Sequence, residues 1–297
     1  MSSLLERSPR SRPDWTARIR PEDLPAPDDT WTAHSVLAAQ THIGKLLEPA
    51  DAKAHPVGLY WFNQFYRSVT RGVIRDERRH EFGPSGDEFL DKLDVAFYRR
   101  YDHALRAGLA DDPSIAWAPL LRPARSRDGL PLAWALRGVH AHIIFDLPPA
   151  ILDALIKLGK TEPSFPDPHS PEYIAYNGMN EVIYDVALDA LKANFAEGLP
   201  ALALHFVRLP VDLMTLTYIK ALRDAAWWRA EILWLLHREG NEQAIAITEA
   251  WFGQEVLWYN HQLQRLLDIR YLQMPRSFTH WVAHLLDPWH IRTRTSA

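Results

Sequence analysis

The sequence predicts an all-α protein, a single-domain bundle of about eight helices with a central polar-aromatic cavity. Glycine is scarce, with 13 residues in 297, and no Asn-Gly turn joins two segments that alternate apolar and polar residues. Apolar residues instead recur at spacings of three and four, as on one face of an α-helix. The predicted helices span residues 34–48, 56–75, 86–108, 131–158, 171–195, 211–237, 242–271 and 277–286.

Residues that favour helix ends lie near several of these boundaries. The glycines at such positions are Gly108, Gly159, Gly198 and Gly240. Pro148 and Pro149 lack amide hydrogens, so we expect the 131–158 helix to end or kink directly after Asp146.

Composition restricts the class of protein. The net charge of -4 and the pI near 6.4 argue against nucleic-acid binding. The absence of cysteine excludes disulfides and iron-sulfur clusters, and no glycine-rich phosphate-binding loop suggests a nucleotide. Residues 1–30 are rich in Pro, Ser, Arg and Asp, which predicts a loosely ordered leader before a single helical domain at 31–297. We find no export signal or membrane span, and expect a cytoplasmic protein.

Two histidines and an aspartate interrupt the apolar run 138–149. In a helix, His142 and Asp146 share a face because they are four residues apart, whereas His140 points elsewhere. An imidazole beside a carboxylate can transfer protons, or the two can ligate one zinc or iron ion. The same pair can also simply cap a helix end. The spacing leaves these alternatives open.

Polar side chains also interrupt the apolar stripes of other helices, where burial of a charge suggests a partner or a site. Asp94 is the clearest case and is predicted to face the interior as a second carboxylate. Candidate substrate-binding residues on these helices are Asn63, Tyr66, Tyr101, Asn177 and Glu181. The last third of the chain is rich in tryptophan, and Trp228 and Arg229 there are further candidates for ligand contact.

Three segments, 58–66, 89–97 and 138–148, resemble an uncharacterised actinobacterial helical family when taken with Trp117. The resemblance covers about 56–184. Its central motif is similar to Gly-Met-Asn-Ala-His-Ile-Asn-x-Asp-Leu-Pro. His142 and Asp146 match this motif, whereas His140 and Ile144 replace its two asparagines. Glu172-Tyr173 with Asn177 looks like a later motif. The resemblance implies a helical architecture and positions for a site, without a settled activity.

A more distant similarity is to zinc-dependent phospholipase C and the S1/P1-type nucleases, which are all-helical and use His-x-x-x-Asp ligand pairs. This similarity implies a divalent metal, zinc or iron, at His142 and Asp146. Only one clear pair of this kind occurs here, and the chain starts Met-Ser-Ser where those enzymes have a tryptophan. A three-metal site is therefore not expected.

These observations favour a small-molecule enzyme of bacterial secondary metabolism that acts on a partly apolar metabolite. The chemistry would be metal-assisted hydrolysis or acid-base catalysis of a lyase or cyclase type. His142 would be a metal ligand or proton carrier, Asp146 its orienting or co-ligating carboxylate, and Asp94 a second carboxylate. The alternative is a non-catalytic protein whose tryptophan-rich C-terminal helices bind an apolar ligand or a protein partner. A homodimer is compatible with both.

Overall fold

The computed structural model describes residues 14–48, 57–122, 131–160, 165–195 and 201–268. These ranges are helical and contain no strand, so the predicted fold class is confirmed. The helices are α1 (Ala33–Leu47), α2 (Gly58–Arg75), α3 (Gly83–Leu109), α4 (Ala118–Leu121), α5 (Pro131–His140), α6 (Leu147–Lys157), α7 (Pro171–Phe195), α8 (Ala201–Arg238) and α9 (Glu242–Asp268). A π-helical turn, Ala141–Asp146, joins α5 to α6 without a break.

Most predicted helices agree with the observed ones to within three residues at either end, and α8 is the main exception. It begins at Ala201 and passes through Pro210, whereas the sequence predicted a start at residue 211 because proline is common in the first turn of a helix. The four-residue α4 was not predicted, since one turn is too short to show a periodicity. The predicted helix at 277–286 lies outside the described residues.

Helix α2 lies at the centre of the bundle and packs against α1, α5 and α7, while α3 packs against α6 and α7. The close approach of α2 to α5 depends on two glycines. A Cβ atom on Gly58 would lie 2.5 Å from the Trp134 ring, and one on Gly138 would overlap the Phe62 ring. Because these two glycines have no side chain, the backbones of α2 and α5 can approach each other closely at both positions.

The chain before α1 is packed against the bundle from Trp15 onward. The side chains of Trp15, Ile19 and Leu24 are buried, and the Trp15 indole donates to the carbonyl of Leu121 at 3.0 Å. The guanidinium of Arg106 donates to the carbonyl of Leu24, also at 3.0 Å. The later part of the predicted leader, 14–30, thus contributes to the core, which its average composition does not indicate.

One continuous helix, Pro131–Lys157, is long and apolar enough to cross a membrane by length and composition, with a mean hydropathy of 1.4 in its most apolar window. That window is 78% buried inside the bundle. A central helix of a folded core has the same properties, so this feature is weak evidence for a membrane span.

Candidate functional site

The π-helical turn places the histidine and aspartate in the middle of a helix. Leu147 donates its amide to the carbonyl of His142, five residues earlier, which is the hydrogen bond of a π-helix. Pro148 and Pro149 then occupy the start of α6, where a proline is tolerated. Of the two outcomes expected after Asp146, an end or a kink, the end is wrong, because the wider turn lets the chain continue.

His142, Asp146 and Trp117 form a buried chain of hydrogen bonds. The Nδ1 atom of His142 lies 2.9 Å from Oδ2 of Asp146. The Trp117 indole donates to the same carboxylate, at 3.1 Å from Oδ2 and 3.4 Å from Oδ1. All three side chains are buried, with 3% of His142 and 2% of Asp146 exposed. The aspartate is thereby held by a tryptophan and in turn fixes the imidazole.

Aromatic rings enclose the imidazole on several sides. The Phe97 ring stacks on it with 3.4 Å between ring centroids and 10° between planes. The Tyr66 ring approaches edge-on, with 4.5 Å between centroids. Three further rings lie within about 6 Å, those of Phe62, Tyr101 and Trp117. Burial in this apolar surrounding lowers the pKa of His142, although the hydrogen bond to Asp146 acts in the opposite direction.

The second ring nitrogen of His142 has no partner in the part of the chain that the structure describes. Its Nε2 atom is buried and makes no hydrogen bond to these residues. An ionised Asp146 can only accept, so Nδ1 carries the proton and Nε2 of a neutral imidazole holds a free lone pair. A buried nitrogen of this kind is costly unless a ligand or water completes it. It is therefore suited to accept a proton or a hydrogen bond from a bound molecule.

His142 lines a cavity of about 110 Å³ between α2, α3, α7, α8 and the π-helical turn. The wall is mainly aliphatic and aromatic, with Val69, Leu93, Phe97 and Met179 among its residues. The predicted cavity is present, and its wall is more apolar than the sequence suggested. Its polar lining residues are Tyr66, Thr70, Asp94, His142 and Arg223.

Tyr66 and Asp94 reach this cavity from α2 and α3, as the sequence predicted. Burial raises the pKa of Tyr66 well above its usual value, and the charge of Asp94 adds to this effect. The phenol therefore stays protonated and can donate a hydrogen bond. Three of the predicted site residues, His142, Tyr66 and Asp94, thus share one space.

Two other candidates, Asn63 and Tyr101, are buried behind this space and do not line it. The Asn63 side chain donates to the carbonyl of Gln40 at 3.0 Å and accepts from the Tyr101 hydroxyl at 3.3 Å. Their polar groups are therefore occupied in joining α1, α2 and α3. The helical spacing of apolar residues correctly predicted that Asn63 and Tyr101 are buried. It did not show that they bind each other and the carbonyl of Gln40.

The remaining candidates do not line the cavity at His142. Asn177 and Trp228 border a separate pocket between α7 and α8, and Glu181 is exposed. Arg229 pairs with Glu255 at 2.6 Å. None of the four lines the cavity. On α7, Asn177 and Glu181 are exposed whereas Asn180 is buried, so these polar residues do not face the cavity as one set.

His140 belongs to a separate buried network, in agreement with the prediction that it points away from His142. Its Nδ1 atom lies 3.0 Å from Oδ1 of Asn260, and its Nε2 atom 2.9 Å from the Tyr218 hydroxyl. Burial lowers the pKa of His140 to about 4, while the bond to Asn260 opposes the change. Both nitrogens are satisfied, so this histidine connects α8 and α9 to the end of α5.

The donor set around His142 does not fit a zinc or iron ion. His142 and Asp146 bind each other through Nδ1 and Oδ2, which leaves Nε2 of His142 and Oδ1 of Asp146, and this Oδ1 accepts from the Trp117 indole. Within the part of the chain that the structure describes, no three His, Asp or Glu side chains are grouped closely enough to hold a metal. Zinc sites in enzymes use three protein ligands and an open position.

Sequence reasoning missed the roles of Trp117 and Arg223. Trp117 lies just before the one-turn helix α4, where no periodic pattern marks it as buried. Arg223 lies among the tryptophans of α8, where a charged residue is expected at the surface. It is only 7% exposed, however, and it lines the cavity. A charged residue between apolar positions 219, 222 and 226 was the only available signal.

Comparison with known proteins gives a family without an activity. No curated protein and no solved structure matches the chain significantly. A family of unknown function, DUF5995, matches residues 35–256. This range includes α2, α3, the π-helical turn and all the residues that line the cavity. The chain therefore belongs to this family of unknown function, DUF5995.

Proposed function

We propose that this protein is an enzyme that performs general acid-base chemistry on a small, largely apolar molecule bound beside His142. One observation carries the proposal: the imidazole of His142, which lines the cavity, is fixed at Nδ1 by Asp146, and its buried Nε2 has no hydrogen-bond partner among the described residues. A helix cap would need the contact between His142 and Asp146, but it would not need an unpartnered Nε2 on a residue that lines a cavity. The arrangement is that of a general base oriented by a carboxylate.

Each residue of the site has a role in this proposal. His142 removes a proton from the bound molecule through Nε2, and Asp146 stabilises the imidazolium that forms. Trp117 holds the carboxylate in place with its indole hydrogen. The Tyr66 hydroxyl donates a hydrogen bond to an oxygen on which negative charge develops. Asp94 contributes a second negative charge to the wall.

The reaction is of a lyase, cyclase or isomerase type in which a proton is moved within an apolar space. Metal-assisted hydrolysis, which the similarity to zinc-dependent phospholipase C and the S1/P1-type nucleases implied, is less well supported because the donor set does not fit a metal. In this proposal the protein is a cytoplasmic enzyme of actinobacterial secondary metabolism. Its substrate is a partly apolar metabolite, and it has no nucleic-acid partner.

The proposal is tested by incubating the protein with a bacterial metabolite extract and comparing masses before and after. We expect at least one small, apolar metabolite to be consumed by the wild type and not by His142→Gln. His103→Gln is the matched control, since His103 is exposed on α3, and it should behave like the wild type. Identical metabolite profiles for the wild type and His142→Gln would contradict the proposal.

The alternative, a non-catalytic binding protein, is favoured by two exposed apolar stripes on the C-terminal helices. Each stripe has side chains about half exposed or more at helical spacing: Trp228, Ile232 and Leu235 on α8, and Ile247, Trp251 and Trp258 on α9. Such patches mark interaction sites in many proteins. This alternative predicts a homodimer or a protein partner on this surface.

Sedimentation of the wild type and of Trp251→Gln tests the alternative. Trp251 is 79% exposed, so its replacement leaves the core intact. A wild-type dimer that the substitution converts to a monomer would support an interface on α9. A wild type that stays monomeric at high concentration would argue against self-association.

A further inference from the structure

Arg223 is a buried cation on the cavity wall, and no carboxylate of the described residues pairs with it. It enters from α8 and is 7% exposed. Its Nε atom donates to Oδ1 of Asn180 at 2.7 Å, and its Nη2 atom lies 3.5 Å from the carbonyl of Tyr176. The guanidinium also lies over the Tyr176 ring, 4.5 Å from its centroid. These neutral contacts position the cation but do not neutralise it.

The nearest acidic side chain on the same helix is already engaged. Asp224 pairs with Lys220 at 2.7 Å and accepts from Asn180 at 3.4 Å. No carboxylate of the described residues forms an ion pair with Arg223, and its Nη1 atom has no acceptor among them. Because an uncompensated buried charge is costly, a bound anion would stabilise this arrangement.

The size and charge of the cavity restrict the anion. A cavity of about 110 Å³ is somewhat smaller than the engineered cavity of about 150 Å³ that holds benzene in another protein. Its wall is mainly apolar, with Tyr66, Thr70, Asp94 and His142 as the polar lining residues besides Arg223, and Asp94 adds a negative charge to it. A phosphate would bring a second negative charge and require more donors than one guanidinium. A carboxylate matches the planar guanidinium with two oxygens and a single charge.

We propose that the cavity binds a short monocarboxylate, whose carboxylate pairs with Arg223 and whose apolar body lies against Phe97 and His142. This inference rests on the proposed function only in taking the cavity as the ligand site. It names the substrate class: a small carboxylic acid with an apolar chain or ring. His142 and Arg223 then act on different parts of one molecule.

Binding of pentanoate, pentanamide and pentylamine, measured by calorimetry on the full chain, tests the inference. These probes have nearly the same size and differ in charge. We expect the wild type to bind pentanoate at least about tenfold more tightly than the other two, since a charged hydrogen bond in a buried site is worth this much or more. In Arg223→Gln the preference should fall to about threefold or less.

Arg223→Lys is the second variant, in case the glutamine variant does not fold. It keeps the charge but loses the planar pair of donors, so pentanoate should bind at least about threefold more weakly while pentanamide is unchanged. Three results would overturn the inference: no measurable binding of pentanoate, equal binding of the amide, or an unchanged preference in the Arg223 variants.

His142→Gln separates this inference from the proposed function. If it loses turnover but still prefers pentanoate, both stand. If His142→Gln has the same turnover as the wild type and pentanoate is still preferred through Arg223, the acid-base proposal fails and the carboxylate site remains. If turnover depends on His142 but the wild type binds amide and carboxylate equally, the carboxylate inference alone fails.

Discussion

Acidification should destabilise the protein through His140, and replacement of this residue by asparagine should remove that effect. The pKa of His140 is lowered from 6.5 to about 4 by burial. Between these two values the unfolded chain binds a proton at this position while the folded protein does not. Stability that is fully present above the unfolded pKa is therefore lost as the pH falls toward the folded pKa.

The magnitude follows from the two pKa values. Each pH unit in this window costs about 1.4 kcal/mol, so the complete shift from 6.5 to about 4 corresponds to about 3 kcal/mol. Between about pH 7 and pH 5 the expected loss from this group is about 2 kcal/mol. His142, whose pKa is also lowered by burial, adds to the loss. Asp102 and Glu249, whose pKa values are raised by burial, oppose it.

The difference between the wild type and His140→Asn isolates the histidine, because the other groups titrate in both proteins. Asparagine can still donate to Asn260 but does not reach Tyr218, so the variant should be about 1 kcal/mol less stable at neutral pH. Urea unfolding at several pH values should show that this deficit disappears between about pH 6 and pH 5.5 and that the variant is about 1 kcal/mol more stable than the wild type at about pH 5. Parallel pH dependences of the two proteins would refute the linkage.

Two further substitutions test the packing of the site. Gly138→Ala should lower the unfolding free energy by about 1–3 kcal/mol, because its Cβ atom would overlap the buried Phe62 ring. Gly253→Ala is the comparison, since its Cβ atom would lie 2.7 Å from one methyl carbon of Ile115, which is 40% exposed, and thermal melting should show a clearly smaller loss of stability. Equal effects of the two would contradict this account of the α2–α5 contact. Trp117→Phe removes both indole hydrogen bonds to Asp146 and should cost about 1.5–3 kcal/mol in a chemical denaturation experiment. An unchanged unfolding free energy would show that the carboxylate does not need this donor.

The helical fold could be predicted because its signal is repeated along the chain. Spacings of three and four located α2, α3 and α7, and the glycines at 159 and 240 adopt the left-handed conformation that ends a helix. Residues that usually mark helix ends were less reliable where the backbone changes from an α-helix to a π-helix. Pro148 and Pro149 suggested an end or a kink after Asp146, but a π-helical turn places them at the start of α6, and no residue pattern predicts such a turn.

The pairing of His142 with Asp146 was predicted more successfully than the other residues of the site. Spacing alone placed His142 beside Asp146 and turned His140 away, because both relations are properties of one helix. The other members depend on how separate helices pack, which spacing does not contain. Asn63 is buried as expected but is bound to a backbone carbonyl, and Arg223 becomes part of the wall only because α8 lies against α7.

Nitrogen NMR spectroscopy of isotope-labelled histidine tests the central claim most directly, by locating the proton on the His142 ring at neutral pH. The claim is that Asp146 holds the proton at Nδ1 and that burial keeps the ring neutral. We predict a protonated Nδ1 and an unprotonated Nε2, with the Nε2 signal shifting when a ligand fills the cavity. A proton on Nε2, or on both nitrogens, would contradict the assignment of His142 as a base.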